Sequence, residues 1–349
     1  MSLITLTDRT SAFAKTFAYL MVSAVFLFLL NNYLVYWQGL PGPFNLFTYL
    51  GWLGDDASLQ LSSQQINQGW WQVGFYLFVF MCSVAYALLN TRTLRDESAM
   101  FSALSSYLVR AAFWAVLLIG FVDMLISFLR IENFLQLWLS EESIQQLGRP
   151  IFRGTYVHYP LLVGSLFIAA LFRQISFSWL ALLVVLAEFQ IVISRFVFSY
   201  EQAFMGDLVR FWYAALFLFA SAYTLVHEGH VRVDVLYAGF SRAKKAWSNI
   251  IGCLTLGIPL CWVILMQGMG GKGHSINSPL LSFEISQSGY GMYVKYLMAG
   301  FLVVFALTMI VQFVSYLLHN IAQLTDTVDE SDSQTPDSTD SAENAPAAV

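Results

Sequence analysis

Apolar runs about the length of a bilayer crossing recur along this chain, and they restrict its fold more than any other feature. The runs are Phe17–Trp37, Trp70–Leu89, Ala111–Leu129, Val157–Phe172, Phe177–Val192, Leu208–Val226, Asn249–Gln267 and Lys295–His319. A helix needs about 20 apolar residues to cross the hydrocarbon layer, and a spanning segment must satisfy its own backbone hydrogen bonds. Composition agrees: 58% of the 349 residues are hydrophobic and 11% are charged, with mean hydropathy +0.63. A soluble domain carries about 25% charged residues. The expected fold is an all-α integral membrane protein, a polytopic bundle of about eight transmembrane helices. Seven is the alternative, because Val157–Phe172 is short and contains Pro160.

Charge placement gives the expected orientation. Arg9 and Lys15 precede the first run and Arg92 and Arg95 follow the second, whereas residues 38–69 have no Lys or Arg and carry Asp55 and Asp56. Positively charged loops stay inside, so the N-terminus is expected in the cytoplasm. The densest basic cluster, Arg242, Lys244 and Lys245, lies inside only if Val157–Phe172 also crosses, and eight crossings put the C-terminus inside too. These three residues are then placed to meet anionic lipid headgroups, at about 1 kcal/mol each. Residues 130–156 form an outer segment of mixed charge, with an amphipathic surface helix expected around Phe134–Trp138. From Gln323 onward the chain is acidic, rich in Ser and Thr and without aromatics, the composition of a disordered tail.

Motifs that suggest enzymes fail on mechanics. Gly268-Met269-Gly270-Gly271-Lys272-Gly273 fits G-x-G-x-x-G, but it follows a spanning helix instead of a strand, on the expected outer face. His227-Glu228-Gly229-His230 places its histidines three apart with a glycine between them, whereas the zinc motif needs them four apart on a helix. His158, His227, His230, His274 and His319 all fall at or beyond the ends of the apolar runs, not deep in facing helices as haem ligation requires. Cys82, Cys253 and Cys261 lie in apolar runs and show no disulfide or CxxC pattern. The expectation is no catalysis, no cofactor and no metal.

Charges in or near the spans need partners, since an acid or Arg facing lipid at the bilayer centre costs about 2.5–3.5 kcal/mol. Asp207 and Arg210 are three apart and share a helix face, as do Glu188 and Arg195 at seven apart. Such pairs are read as locks at the membrane boundary. Asp123 and Glu188 are the acids with the deepest expected placement, and a stand-alone secondary transporter using them is one rival reading. A membrane-embedded electron-transfer subunit, supported only by the histidines, is another.

The second half resembles the small, Q-type (DctQ-like) membrane subunit of tripartite ATP-independent periplasmic (TRAP) transporters. The resemblance is carried by Ile193-Ser194-Arg195-Phe196-Val197-Phe198 closing one span and Gly206-Asp207-Leu208-Val209-Arg210-Phe211 opening the next. It continues through Ala220-Ser221-Ala222-Tyr223, Glu228-Gly229-His230-Val231-Arg232-Val233-Asp234-Val235-Leu236-Tyr237, Pro259, Phe283-Glu284-Ile285-Ser286 and Lys295. It covers about residues 177–322, the last four spans, and the G-H-V-R-V-D-V stretch is its most specific piece. Family members usually have four spans, so the earlier residues form an N-terminal membrane extension. The chain accordingly divides into 1–156 as extension, 157–322 as the small-permease-like unit with one marginal preceding helix, and 323–349 as tail.

The resemblance implies a non-catalytic role: a periplasmic binding protein delivers an organic acid, a large permease subunit carries it with sodium, and the small subunit braces the large one. Expected partners are therefore the large subunit, the binding protein and membrane lipids, with no nucleic acid, in a bacterial inner membrane. Arg195, Asp207, Arg210, Gly229, His230, Arg232, Asp234, Glu284 and Lys295 are the residues expected to serve structure or partner contact. Gly229 is expected to end its helix, and Arg232 and Asp234 to face the same way in an extended segment. Ala214, Ala215, Ala220, Ser221 and Ala222 offer a small-residue surface for close helix packing.

Overall fold

The computed structural model describes residues 3–53, 60–173, 177–226, 235–286 and 290–333. Eight of its helices are long and apolar enough to cross a membrane, and no strand occurs among the described residues. They are α1 (Leu3–Tyr36), α2 (Ser63–Leu89), α3 (Leu94–Ile131), α4 (Pro150–Leu171), α5 (Phe177–Phe198), α6 (Ala203–Val226), α7 (Arg242–Met269) and α8 (Lys295–Ser333). The segment around 157–172 is thus part of a 22-residue helix, long and apolar enough to serve as the fourth of eight spans.

Hydropathy places the apolar part of each helix and misses the polar turns that extend it. Thr93 starts α3 seventeen residues before the apolar run: its hydroxyl accepts the Asp96 amide, and the Asp96 carboxylate accepts the Thr93 amide. Ser62 and Gln65 cap α2 the same way. Pro150, needing no hydrogen-bonded amide in the first turn, opens α4, which passes through a π-helical turn at Gly154–His158 before its apolar stretch. A second π turn, Cys253–Gly257, interrupts α7. The last helix continues to Ser333, beyond the boundary at 322 expected for the tail. Phe134–Leu137 is a single 3₁₀ turn followed by a short helix at Glu141–Leu147, and not one amphipathic helix; Leu135 is buried.

α3 lies at the centre of the bundle, packed along α8, α6 and α4. Its seam with α8 uses small polar residues in antiparallel register. Ser98 Oγ donates to the Ser315 carbonyl at 2.8 Å and Ser315 Oγ to the Ser98 carbonyl at 2.7 Å. One heptad along, Ser105 Oγ donates to the Thr308 carbonyl at 3.1 Å. Close packing and interhelical hydrogen bonds of this kind hold helices together where no water is displaced. At Gly120, a Cβ would sit 2.4 Å from Trp212 Nε1, so α3 and α6 approach closely only because that position is glycine.

The two ends of the bundle are tied separately. At one, the Lys15 ammonium donates to the carbonyls of Asn90 (3.2 Å) and Arg92 (2.5 Å), closing the α2–α3 turn. Beside it, buried Glu97 accepts from Tyr19 and Asn90, each at 2.5 Å. At the other end, Asn32 donates to the Met269 carbonyl and Tyr36 to that of Gly270, joining α1 to α7. This second end carries residues 132–149, 270–286 and 290–294, the expected outer side.

Candidate functional site

The densest polar structure among the described residues lies at that second end, where charged side chains of α3 and α4 meet the start of α8. Asp123, Arg153 and His158 are all fully buried. Arg153 Nη1 lies 3.0 Å from Asp123 Oδ1 and also donates to Ser127 Oγ at 3.0 Å, while its Nε donates to the Leu147 carbonyl. His158 Nε2 is 3.0 Å from the same Asp123 oxygen, and Nδ1 is 2.8 Å from the Tyr296 hydroxyl. A neutral imidazole with its proton on Nε2 satisfies both contacts, donating to Asp123 and accepting from Tyr296. Asp123 with Arg153 then carries no net charge.

The other Asp123 oxygen accepts the Tyr293 amide at 2.7 Å. The neighbouring amide, of Met292, donates to Asp207 of α6 at 3.1 Å. Ser127 donates to the Gly291 carbonyl at 3.3 Å, and the Tyr293 hydroxyl accepts from Arg130 and donates to the Gly148 carbonyl, both at 3.0 Å. The Tyr293 ring lies 4.0 Å under the Arg153 guanidinium carbon, a cation–π contact. Residues 291–296 are thus fixed from three helices at once. Local backbone shape permits it: Phe283 takes a left-handed conformation (φ 49°) and sets its ring against Gly154, where a Cβ would lie 2.2 Å from the ring.

Chemically, this is a clamp. Each Asp123 oxygen is engaged by fixed donors, and a buried pair of this kind is strongly destabilised by losing either member. Nothing in it resembles a free carboxylate awaiting a cation, which argues against the stand-alone transporter reading for Asp123.

The predicted residues fall into several groups. Asp207 does pair with Arg210, at 3.6 Å, and adds the Met292 contact, which spacing alone does not reveal. Glu284 and Lys295, named separately in the sequence, form one ion pair at 2.5 Å, and the Glu284 carbonyl accepts the Tyr296 amide. Arg195 pairs with Glu201 at 3.4 Å and not with Glu188, because Ser199 (φ 51°) turns the chain back on itself after α5. Outside the spans, the Tyr200 hydroxyl donates to Glu132 at 2.7 Å; burial and that carboxylate push its pKa up to about 12. Gly229, His230, Arg232 and Asp234 lie outside the described residues.

Arg242 and Lys244 are exposed at the start of α7, where Ser241 caps the helix, and Lys245 Nζ sits 5.5 Å from the Tyr237 ring centroid. The small-residue surface on α6 is largely internal: Ala215 and Ala222 are buried within the chain, so that packing is intramolecular. Cys82 is exposed on α2, unlike buried Cys253 and Cys261.

Sequence reasoning missed Arg153 and His158, both read as belonging to an outer loop and a span end. One signal was present. An acid deep in an apolar run needs a buried cation, and the marginal fourth span begins among such groups.

The fold and clamp define a polytopic helical membrane protein whose buried charges hold helices together. Residues 181–322 match the family described as Tripartite ATP-independent periplasmic transporters, DctQ component. That region is similar to the small-permease component of TRAP transporters, and the matched family is one of transporter components, not of enzymes. No curated protein and no solved structure matches it.

Proposed function

We propose that this chain is the small membrane subunit of a TRAP-type secondary transporter, bracing a large permease subunit for ion-coupled uptake of an organic acid brought by a periplasmic binding protein. The observation that carries this reading is the DctQ match across α5–α8. The clamp supports it, because its buried carboxylates act as fixed structural bonds. Residues 1–156 form an extension that enlarges the brace, 157–322 the small-permease unit, and the chain sits in the inner membrane with both termini cytoplasmic. Arg232 and Asp234, with Gly229 and His230 beside them, contact the large subunit from the cytoplasmic side, while Arg242, Lys244 and Lys245 engage lipid headgroups. Arg195, Asp207, Arg210, Glu284 and Lys295 hold the outer ends of the helices.

The test is co-purification. The large subunit should be recovered with this chain, and replacing Arg232 and Asp234 together by alanine should reduce that recovery and substrate uptake. Unchanged complex and uptake would contradict the contact assigned to these two residues.

A further inference from the structure

Glu188 lies within the 22-residue helix α5, eleven positions after Phe177 and ten before Phe198. At about 1.5 Å per residue it is roughly 15 Å from either end, which is the bilayer midplane. Its side chain is exposed on the outside of the bundle, and no hydrogen bond or ion pair reaches it among the described residues. Around it, Val185, Phe189 and Val192 are 61%, 61% and 48% exposed. Within the bundle α5 packs chiefly on α6, which leaves this face uncovered.

Helix α2 is equally peripheral, but the middle of its exposed face, including Leu77, Phe78 and Met81, is apolar and suited to lipid. Intramembrane acids face protein or water because lipid offers them no donor. A two-fold contact of this chain with itself, centred on this residue, would oppose two carboxylates. The chemistry asks instead for a different polypeptide that supplies a donor.

We propose that the α5 face around Glu188 is where the large permease subunit docks, through a spanning helix that places a cationic or hydrogen-bond-donating side chain against Glu188. This deepens the function proposed above and rests on it.

In the complex co-expressed in membranes, a photo-crosslinking amino acid at Val185 or Val192 should capture the large subunit, and the same probe at Phe78 should not. Glu188→Leu should lower recovery of the large subunit about tenfold, the scale of one strong interhelical hydrogen bond, while this chain keeps its wild-type elution profile. If the wild-type complex forms but the α5 probes capture only lipid or a second copy of this chain, or Glu188→Leu leaves recovery unchanged, this docking face is wrong and the proposed function stands. If the wild-type chain recovers no large subunit at all, both fall.

Discussion

Asp123 and Asp207 stand on different helices, yet they accept hydrogen bonds from the adjacent amides of Tyr293 and Met292. Two carboxylates thereby grip one turn of backbone at the head of α8. Asp207 lies in the region matched by the DctQ family and Asp123 precedes it. Helices before the matched region are thus bonded directly to residues inside it.

Asp123→Ala should be among the most damaging single changes, because it strands a charged Arg153 in the bundle interior. The expected loss is about 3–5 kcal/mol, read as a lower unfolding temperature in detergent. Pairing Asp123→Asn with Arg153→Met, which removes both charges, should restore part of it. A double variant as unstable as Asp123→Ala would contradict a charge-pair role.

Gly154→Ala should cost about 1–3 kcal/mol, since the new methyl would meet the Phe283 ring. Adding Phe283→Leu should relieve much of that cost, and equal stability of the single and double variants would show that the ring does not set the fit.

Ser98→Ala and Ser315→Ala should each cost about 0.6 kcal/mol, near the average for hydrogen bonds between membrane helices. A double-mutant cycle should show coupling, because the two hydroxyl oxygens also lie 3.1 Å apart, within hydrogen-bonding reach of each other. Strict additivity would mean that each hydroxyl acts only through the opposite carbonyl and that the two side chains do not bond each other.

A chain beginning at Tyr156 loses α1–α3 and Arg153, and with them the partners of α6 and α8. It should aggregate or fail to accumulate, as seen by size-exclusion chromatography. A monodisperse truncated protein that still supports uptake would refute the scaffold role of the extension.

Much of the architecture was legible in the sequence, since apolar length is the dominant requirement for crossing a bilayer. Charge parity even required the fourth span, which is marginal by length alone. Helix starts were not legible, because capping residues such as Thr93 and Pro150 act in polar stretches that hydropathy scores as loop. The clamp was lost for the same reason: Arg153 stands just before the π turn that ends at His158, at the polar edge of the fourth apolar run, and both reach Asp123. Spacing found Asp207–Arg210 within one helix but could not find Asp207–Met292, which depends on how α6 and α8 pack.

The bracing role is tested most directly by uptake in proteoliposomes. With a sodium gradient and binding protein supplied, vesicles holding this chain together with the large subunit should accumulate the organic acid, and vesicles holding this chain alone should accumulate none. Uptake by the chain alone would contradict the account.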